Sequence, residues 1–369
     1  MELVAAYLHD QALQRERHYR DPLDPLHFND NQLLRYYRFP RREILWLCEV
    51  LDPYLRRRTR RSHAVPTHTQ VLVALRFYAS GTFQSVIGDS CGLTQASVSR
   101  IIAAVTRVLT EKARIEIKFP SSANDLMKTV QDFSRFANFP KVIGAIDGTH
   151  IPIKAPYVDE HIYVNRKRFH SLNLQIVCNA DGLITSYNTR YPGSTHDAFI
   201  WSNCALRTRF ETGEFGENYL LGDSGYPLEP YLLTPLSNPR TPGETRYNRS
   251  HTRTRVIIEQ TFGILKSRFR CLHHSGGTLQ YDPIKCSKIA ITCLLLHNYC
   301  VKRRIPIPQE IVENDGEMNI AAEAAERGTG RATFCDYKII RLHQNIVNII
   351  IAMSIQQIFV TSVTKKEII

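Results

Sequence analysis

The chain has 369 residues, of which 43% are hydrophobic and 22% charged, a composition that fits two domains or one large domain with extensions. Its formal net charge of +12 favours polyanionic partners such as nucleic acid over acidic small molecules. Its nine cysteines include no CxxC pair, which argues against a disulfide framework or a zinc ribbon. The N-terminus lacks the basic and long apolar regions of a signal peptide, so the expected locations are the nucleus and the cytoplasm.

The first region, residues 1–117, is predicted to be all-helical. Polar sequence up to about residue 30 predicts a helix and a proline-rich connector, and two helices broken near Pro40 follow. Residues 56–61 contain five arginines and form the densest charge run in the chain. A nuclear-import signal, a phosphate-contacting loop and a solvated face are all compatible with this run.

Residues 68–110 resemble a helix-turn-helix. A helix ending near Ser80 precedes a shorter one, a turn at Cys91-Gly92 and a second long helix with Thr94 as its N-cap. Four polar residues of that helix are expected to face a duplex: Gln95, Ser97, Ser99 and Arg100. An ordinary helical hairpin has the same pattern, and the positive net charge favours DNA binding.

The second region, residues 138–305, is predicted to be a mixed α/β domain. A helix from Ala123 to Phe136 leads into an apolar run, which predicts a buried strand that ends at Asp147. The alternation of Leu172–Cys178, followed by a turn signal at Asn179–Gly182, predicts a hairpin. The domain is therefore expected to open with three consecutive strands.

Two acids follow apolar strands. Taken alone, Asp147 fits a turn-forming residue before Gly148 better than it fits a metal ligand. The stretch Tyr219–Tyr226 repeats the pattern, however, since an apolar strand again delivers an acid, Asp223, that is closely followed by glycine.

A third acid, Glu259, lies on a predicted helix. A helical projection places four apolar residues in a stripe facing the core: Ile258, Phe262, Leu265 and Phe269. Glu259 falls on the flank of that stripe with Arg255, Lys266 and Arg270, which suit phosphate binding. The alternative is that Glu259 pairs only with Arg255 on a solvated face.

Asp147, Asp223 and Glu259 together are the arrangement that a divalent-metal phosphodiester site requires. Carboxylates supply hard oxygen ligands to Mg²⁺ or Mn²⁺, and such cations remove the cost of clustering like charges. Asp197 is a fourth acid, for which a charge at a helix N-terminus and an additional metal ligand are both plausible roles.

The C-terminal extension, residues 306–369, is predicted to be partly disordered or partner-binding. An Ala-Glu helix is predicted at residues 321–325, and residues 346–363 are apolar but interrupted by polar side chains. A packed or partner-binding helix is favoured there over a marginal transmembrane span, so no membrane association is expected.

Five ordered motifs carry a family resemblance: Gly144–Ile151, Tyr163–Lys167, Pro192–Asp197, Leu221–Tyr226 and Ile258–Gly263. In this order they resemble the PIF/Harbinger transposases and the Harbinger transposase-derived nucleases of animals, over about residues 30–305. The resemblance implies an RNase H-like, retroviral-integrase-like mixed-sheet fold after the helical region. It also implies a DDE nuclease site formed by Asp147, Asp197, Asp223 and Glu259.

The second aspartate of the DDE set has two candidates. The order of the resembled fold favours Asp223, and 35 residues separate it from Glu259. Asp197 is kept as an additional metal-site carboxylate.

The leading functional hypothesis is a transposase-derived endonuclease that uses Mg²⁺ or Mn²⁺ to hydrolyse DNA phosphodiester bonds. The residues expected to contact DNA are Arg100, Arg166, Lys167, Arg255, Lys266 and Arg270. A full transposase would add strand transfer. The alternative is a catalytically silent DNA-binding or adaptor protein that retains the fold, and a small-molecule phosphoesterase is a more distant one. Partner hypotheses are a Myb/SANT-like DNA-binding protein and a second copy of the chain.

Overall fold

A computed structural model describes residues 28–56 and 64–307. These residues form two compact units, one of residues 28–56, 64–77 and 82–105 and one of residues 78–81 and 106–307. None of the helices in the described ranges is long and apolar enough to cross a membrane. The predictions for the N-terminal segment, most of the arginine run, the Ala-Glu helix and the apolar tail fall outside the described residues.

The first unit is built from helices. Their bounds are α1 Asp30–Tyr37, α2 Arg41–Leu55, α3 Thr67–Ser80, α4 Gln84–Cys91 and α5 Gln95–Glu116. The predicted break near Pro40 is confirmed, because Pro40 precedes the first residue of α2. Asn29 caps α1 by exchanging side-chain and backbone hydrogen bonds with Gln32.

The turn between α4 and α5 follows the sequence prediction. Gly92 has a φ of +66°, a left-handed conformation that glycine adopts without strain. The Thr94 hydroxyl accepts a hydrogen bond from the Ser97 backbone N–H at 3.3 Å, so the predicted N-cap is present. Arg100 is exposed one turn into α5.

The second unit contains a five-stranded mixed sheet. Its strands are β1 Val142–Pro152, β2 Ser171–Cys178, β3 Ile184–Pro192, β4 Tyr219–Leu221 and β5 Leu232–Leu233. Their order across the sheet is β3-β2-β1-β4-β5. Strands β2 and β3 pair antiparallel, which confirms the predicted hairpin, and β1 also pairs antiparallel to β2, whereas β4 pairs parallel to β1 and β5 parallel to β4.

Five helices flank this sheet, which brings the number in the described residues to ten. They are α6 Ala123–Ala137, α7 Asp197–Ser202, α8 Ala205–Glu211, α9 Pro242–Arg268 and α10 Pro283–Lys302. The chain leaves helical geometry at Asn203 and Cys204, which separates α7 from α8. The two-residue strand β5 was not predicted.

Apolar side chains on β1, β2 and β4 hold the helices against the sheet. Ile146, Val177 and Leu220 pack with Trp201 of α7 and Phe210 of α8. The predicted core stripe of α9 is confirmed, since all four of its residues are buried: Ile258, Phe262, Leu265 and Phe269. The position of α9 is therefore determined by an apolar face, and its polar flank is left for Arg255 and Glu259.

Asn298 ties the buried helix α10 to the sheet through the backbone of Ile184. Its side-chain Nδ2 donates to the Ile184 carbonyl at 2.7 Å, and its Oδ1 accepts from the Ile184 N–H at 2.8 Å. Both backbone groups are thereby satisfied at the first residue of β3, where no water reaches them.

Replacing Asn298 by leucine keeps the side-chain volume and leaves both Ile184 groups unpaired. We expect the free energy of unfolding, measured by urea denaturation of the full chain, to fall by about 2–4 kcal/mol. The same replacement at the exposed Asn124 of α6 is the control and should change stability by less than about 0.5 kcal/mol. Equal stability of the two variants would contradict this account.

Candidate active site

Asp147 lies inside strand β1 and not at its end. The strand continues to Pro152 because β2 pairs with it antiparallel along its whole outer part, with Asp147 opposite Ile176. The prediction that the strand ends at Asp147 is therefore wrong. Parallel pairing with β4, however, stops at Ala145, so Asp147 lies just beyond the point where that neighbour ends.

The register between β1 and β4 brings a second acid to the same place. Ala145 is opposite Leu221, and both Asp147 and Asp223 lie two residues beyond this pair. Since the strands run parallel, the two carboxylates emerge at one edge of the sheet. The Asp223 Oδ1 atom also accepts a hydrogen bond from the Gly225 N–H at 2.9 Å, which holds the chain in a turn after β4.

The environment of Asp147 disfavours its negative charge. Burial raises its pKa from 3.8 to about 6, and the charge of Asp223 adds to the increase. Arg255 and the Gly148 N–H act in the opposite direction, with hydrogen bonds of 2.9 Å to Oδ2 and 2.8 Å to Oδ1. The site thus contains a cluster of negative charge that its own hydrogen bonds only partly neutralise.

Arg255 joins two of the acids. One guanidinium nitrogen, Nη1, donates to Asp147 and the other, Nη2, donates to Glu259 one helical turn further along α9. Arg255 and Asp147 are both largely buried, with side chains 17% and 16% exposed, whereas the Glu259 side chain is 53% exposed. The pairing of Glu259 with Arg255, which was the alternative to a role in the site, is present. The same arginine, however, also contacts Asp147 on the sheet.

Asp197 packs against β1 beside Asp147. It is the first residue of α7, and its Oδ1 accepts a hydrogen bond from Asn173 Nδ2 at 2.9 Å. A Cβ atom at Gly148 would lie only 2.2 Å from this oxygen, so glycine is required for the approach. Burial raises the pKa of Asp197, and the charge of Asp223 raises it further. Asp223 thus lies near enough to raise the pKa of both Asp147 and Asp197.

Two residues that the sequence analysis missed support Asp197. Gln175 on β2 donates from Nε2 to the Asp197 carbonyl at 3.2 Å and to the Tyr226 hydroxyl at 3.0 Å. Asn173 lies two residues earlier on the same face of β2 and holds the Asp197 carboxylate. The signal for Asn173 and Gln175 was available, because they are polar residues in an otherwise apolar strand and are 3% exposed.

The donor set fits a hard divalent cation by its chemistry, since all its groups are oxygens. The Asn173 Oδ1 atom is buried without a hydrogen-bond partner, and it lies 3.1 Å from where a Cβ at Gly148 would be. Across the described ranges, no three acidic, histidine or cysteine side chains converge closely enough to hold one ion. Two of the required carboxylates are instead engaged by Arg255.

Basic residues surround His150, three positions beyond Asp147 on β1. Burial, followed by the charges of Lys266, Lys167 and Arg166, lowers the pKa of His150 to about 4, so each of these three cations lies near His150. The Arg166 Nη2 atom is also 2.6 Å from Nδ1 of His196, the residue before Asp197. This basic cluster therefore borders the acidic one.

The turn that carries Arg166 and Lys167 is ordered by Asn165, which is 4% exposed. Its Oδ1 accepts hydrogen bonds from the N–H groups of Lys167 at 2.9 Å and Phe169 at 3.4 Å. Of the other predicted DNA contacts, Arg270 is half-buried after the end of α9, and Arg100 belongs to the first unit. The second unit therefore brings some of the predicted DNA-contacting residues near the acids, and it does not bring the others there.

A mixed sheet with acids at the β1–β4 edge and on the following helix is consistent with a DDE nuclease domain. Residues 146–298 match the family described as DDE superfamily endonuclease. No solved structure matches the chain.

The relatives identify the family more closely. The chain is 44% identical over 278 residues to the rat protein named “Putative nuclease HARBI1”, covering 75% of this chain and 80% of the relative, and 43% identical over the same length and shares to its human counterpart. The chain therefore belongs to the Harbinger transposase-derived nucleases. It is also 27% identical over 248 residues to an Arabidopsis thaliana protein named as an antagonist of like heterochromatin protein 1, covering 63% of this chain and 62% of that one.

The raised pKa of Asp147 predicts a pH-dependent stability in buffer with EDTA. Between pH 3.8 and about 6 the native carboxyl keeps a proton that the unfolded chain has lost, so this group lowers the free energy of unfolding as the pH rises. Asp147→Asn removes the effect. We expect the stability of the variant, relative to wild type, to increase by about 2 kcal/mol from pH 4.5 to pH 7.5 in urea titrations. A difference that does not vary with pH would contradict the raised pKa.

Proposed function

We propose that this chain is a divalent-metal-dependent endonuclease that cleaves DNA phosphodiester bonds. The observation that carries the proposal is the parallel register of β1 and β4, which sets Asp147 and Asp223 at one edge of the sheet. Helix α9 brings Glu259 to Asp147 through their shared contact with Arg255. We take Asp147, Asp223 and Glu259 as the DDE residues, with Asp197 as an additional carboxylate.

The topology supports an RNase H-like fold for the second unit. Three antiparallel strands are followed by the parallel strands β4 and β5, and the order β3-β2-β1-β4-β5 places the first strand at the centre. The first acid then lies on the central strand, the second after β4 and the third on a helix that follows the sheet. This is the distribution of acids that a DDE site requires.

Mg²⁺ or Mn²⁺ would be held by Asp147, Asp223 and Glu259, with Asp197 beside them. Such a cation, when bound, supplies activation of the attacking water and stabilisation of the departing oxygen. The chain itself positions the ligands: Asn173 and Gln175 hold Asp197, the Gly225 N–H holds Asp223, and burial keeps bulk water from Asp147. Hydrolysis needs these acids ionised, which the raised pKa of Asp147 opposes below about pH 6.

DNA is the proposed substrate because the basic cluster of Arg166, Lys167 and Lys266 borders the acids. These cations would hold phosphates on either side of the cleaved bond. The α4–α5 segment with Arg100 is proposed as a helix-turn-helix that adds DNA contacts. Nuclear action, with a Myb/SANT-like DNA-binding protein or a second copy as partner, belongs to the same proposal.

A catalytically silent adaptor is the second candidate. The Arabidopsis relative is named for antagonism of a heterochromatin protein and not for nuclease activity. Retention of all four acids in this chain favours the nuclease.

The nuclease proposal predicts metal-dependent nicking of supercoiled plasmid DNA. Nicking should require Mg²⁺ or Mn²⁺ and stop with EDTA, and Asp147→Ala or Glu259→Ala should each lower its rate by about 100-fold or more, since each removes a ligand of the cation. Asp181→Ala, at an exposed turn between β2 and β3, is the matched control and should leave the rate unchanged. Nicking that survives either site substitution would refute the site, and DNA binding without any nicking would favour the adaptor.

The basic cluster predicts how affinity for DNA depends on salt. Changing Arg166, Lys167 and Lys266 together to glutamine should weaken binding of a fluorescent 30-base-pair duplex, measured by anisotropy. It should also reduce the slope of log affinity against log salt by about 0.9 for each phosphate that the variant no longer neutralises. Lys128→Gln, on the exposed side of α6, serves as the control. An unchanged slope in the triple variant would exclude this cluster from the DNA-binding surface.

A further inference from the structure

Arg255 is the one cation in direct contact with the acids at the described DDE site. Its two terminal nitrogens donate to carboxylate oxygens on different elements, Asp147 on the sheet and Glu259 on the same helix. A planar guanidinium is suited to such a two-sided contact, because its donors point in fixed directions. Arg255 thus provides positive charge where the proposed function needs a metal ion.

The carboxylates of Asp147 and Glu259 cannot bind Arg255 and a metal ion fully at the same time. A divalent ion attracts the carboxylate oxygens that Arg255 uses, and it repels the guanidinium. Both effects are strong here, because Arg255 and Asp147 are largely buried. Binding of the ion therefore requires Arg255 to release at least its contact with Asp147. The arginine stays attached to α9, so the released group remains beside the acids.

A released guanidinium has an obvious ligand in the proposed substrate. Phosphate groups bind guanidinium by the same paired geometry as carboxylates do. Lys266, further along α9, belongs to the basic cluster that is proposed to hold DNA. Arg255 and Lys266 share one flank of α9, so a DNA backbone that lies along this flank would pass both residues.

We propose that Arg255 exchanges its carboxylate partners for a DNA phosphate when the metal ion binds, so that metal and DNA strengthen each other's binding. The inference rests on the proposed function and adds its regulation. Such coupling is reciprocal, because each ligand changes the affinity for the other by the same factor, commonly about 5- to 150-fold. The chain would then assemble its metal site mainly on DNA.

Two measurements on the full chain test this exchange. Binding of Mn²⁺ alone is followed by the loss of the free Mn²⁺ EPR signal at pH 8, where Asp147 is ionised. Affinity for a fluorescent 30-base-pair duplex is measured by anisotropy, once in EDTA and once in Mn²⁺. The variants are Arg255→Gln, Arg255→Lys and, as a matched loss of charge from an exposed position of α9, Arg253→Gln. Asp147→Asn is measured beside them as the test of the metal site itself. Thermal melting of each variant verifies that it is folded.

We expect Arg255→Gln to bind Mn²⁺ about tenfold more tightly than wild type does in the absence of DNA. It should weaken DNA binding in Mn²⁺ but not in EDTA, because only the released arginine contacts phosphate. Arg255→Lys keeps the charge without the two-sided contact, so its affinities for Mn²⁺ and DNA should lie between those of wild type and Arg255→Gln. Arg253→Gln should leave Mn²⁺ binding at the wild-type level and should change DNA affinity by the same factor in both buffers.

Other results would overturn the exchange. If Arg255→Gln binds DNA more weakly in both buffers, Arg255 is a simple phosphate contact. If DNA affinity is unchanged in both buffers and Mn²⁺ affinity is unchanged as well, Arg255 has only a structural role. Failure of the proposed function is distinguishable, because Mn²⁺ binding would then be absent from every variant or insensitive to Asp147→Asn. Mn²⁺ binding that Asp147→Asn abolishes and Arg255→Gln leaves unchanged refutes only the exchange.

Discussion

The short parallel pairing between β1 and β4 is the contact on which the candidate site depends. It involves only the three residues Tyr219–Leu221 of β4, yet it determines which residues follow at the edge of the sheet. A shift of one residue would turn Asp223 to the other face and separate it from Asp147. Leu220 and Leu221 are fully buried on opposite faces, in the two core clusters, and this burial keeps the register unique.

Holding acids together has a cost that the surrounding structure must offset. Asp147 and Asp197 are both shielded from water, and each feels the charge of Asp223. Arg255, Asn173 and backbone N–H groups reduce that cost without removing it. Two acids with raised pKa values thus lie in the part of the chain that matches the DDE endonuclease family, and perturbed pKa values are typical of functional sites.

Much of the second unit could be predicted from sequence because its signals are local. Apolar runs marked β1 and β4, alternation and a turn marked the β2–β3 hairpin, and a helical stripe identified the buried face of α9. The full length of β1 could not be predicted, because its outer half is stabilised by pairing with β2 and not by its own apolar residues. Strand β5 has two residues and no local pattern at all.

The acids themselves could be selected from sequence, but their partners could not. The contact between Arg255 and Asp147 joins residues 108 positions apart, and the contact between Asn173 and Asp197 crosses from a strand to a helix. Both depend on tertiary packing, which periodicity does not encode. The comparisons with relatives identify the family but do not test the catalytic and DNA-binding roles of these residues, so those roles stay predictions.

The turn held by Asn165 has a consequence for the entropy of binding. Three consecutive basic residues, 166–168, are exposed on a backbone whose hydrogen bonds are already made by one buried side chain. Arg168 even has a left-handed φ of +61°, which the turn maintains without glycine. A partner that binds here would therefore have to immobilise the long side chains but not the backbone of the turn. Such a turn loses less conformational freedom on association than a flexible basic segment does.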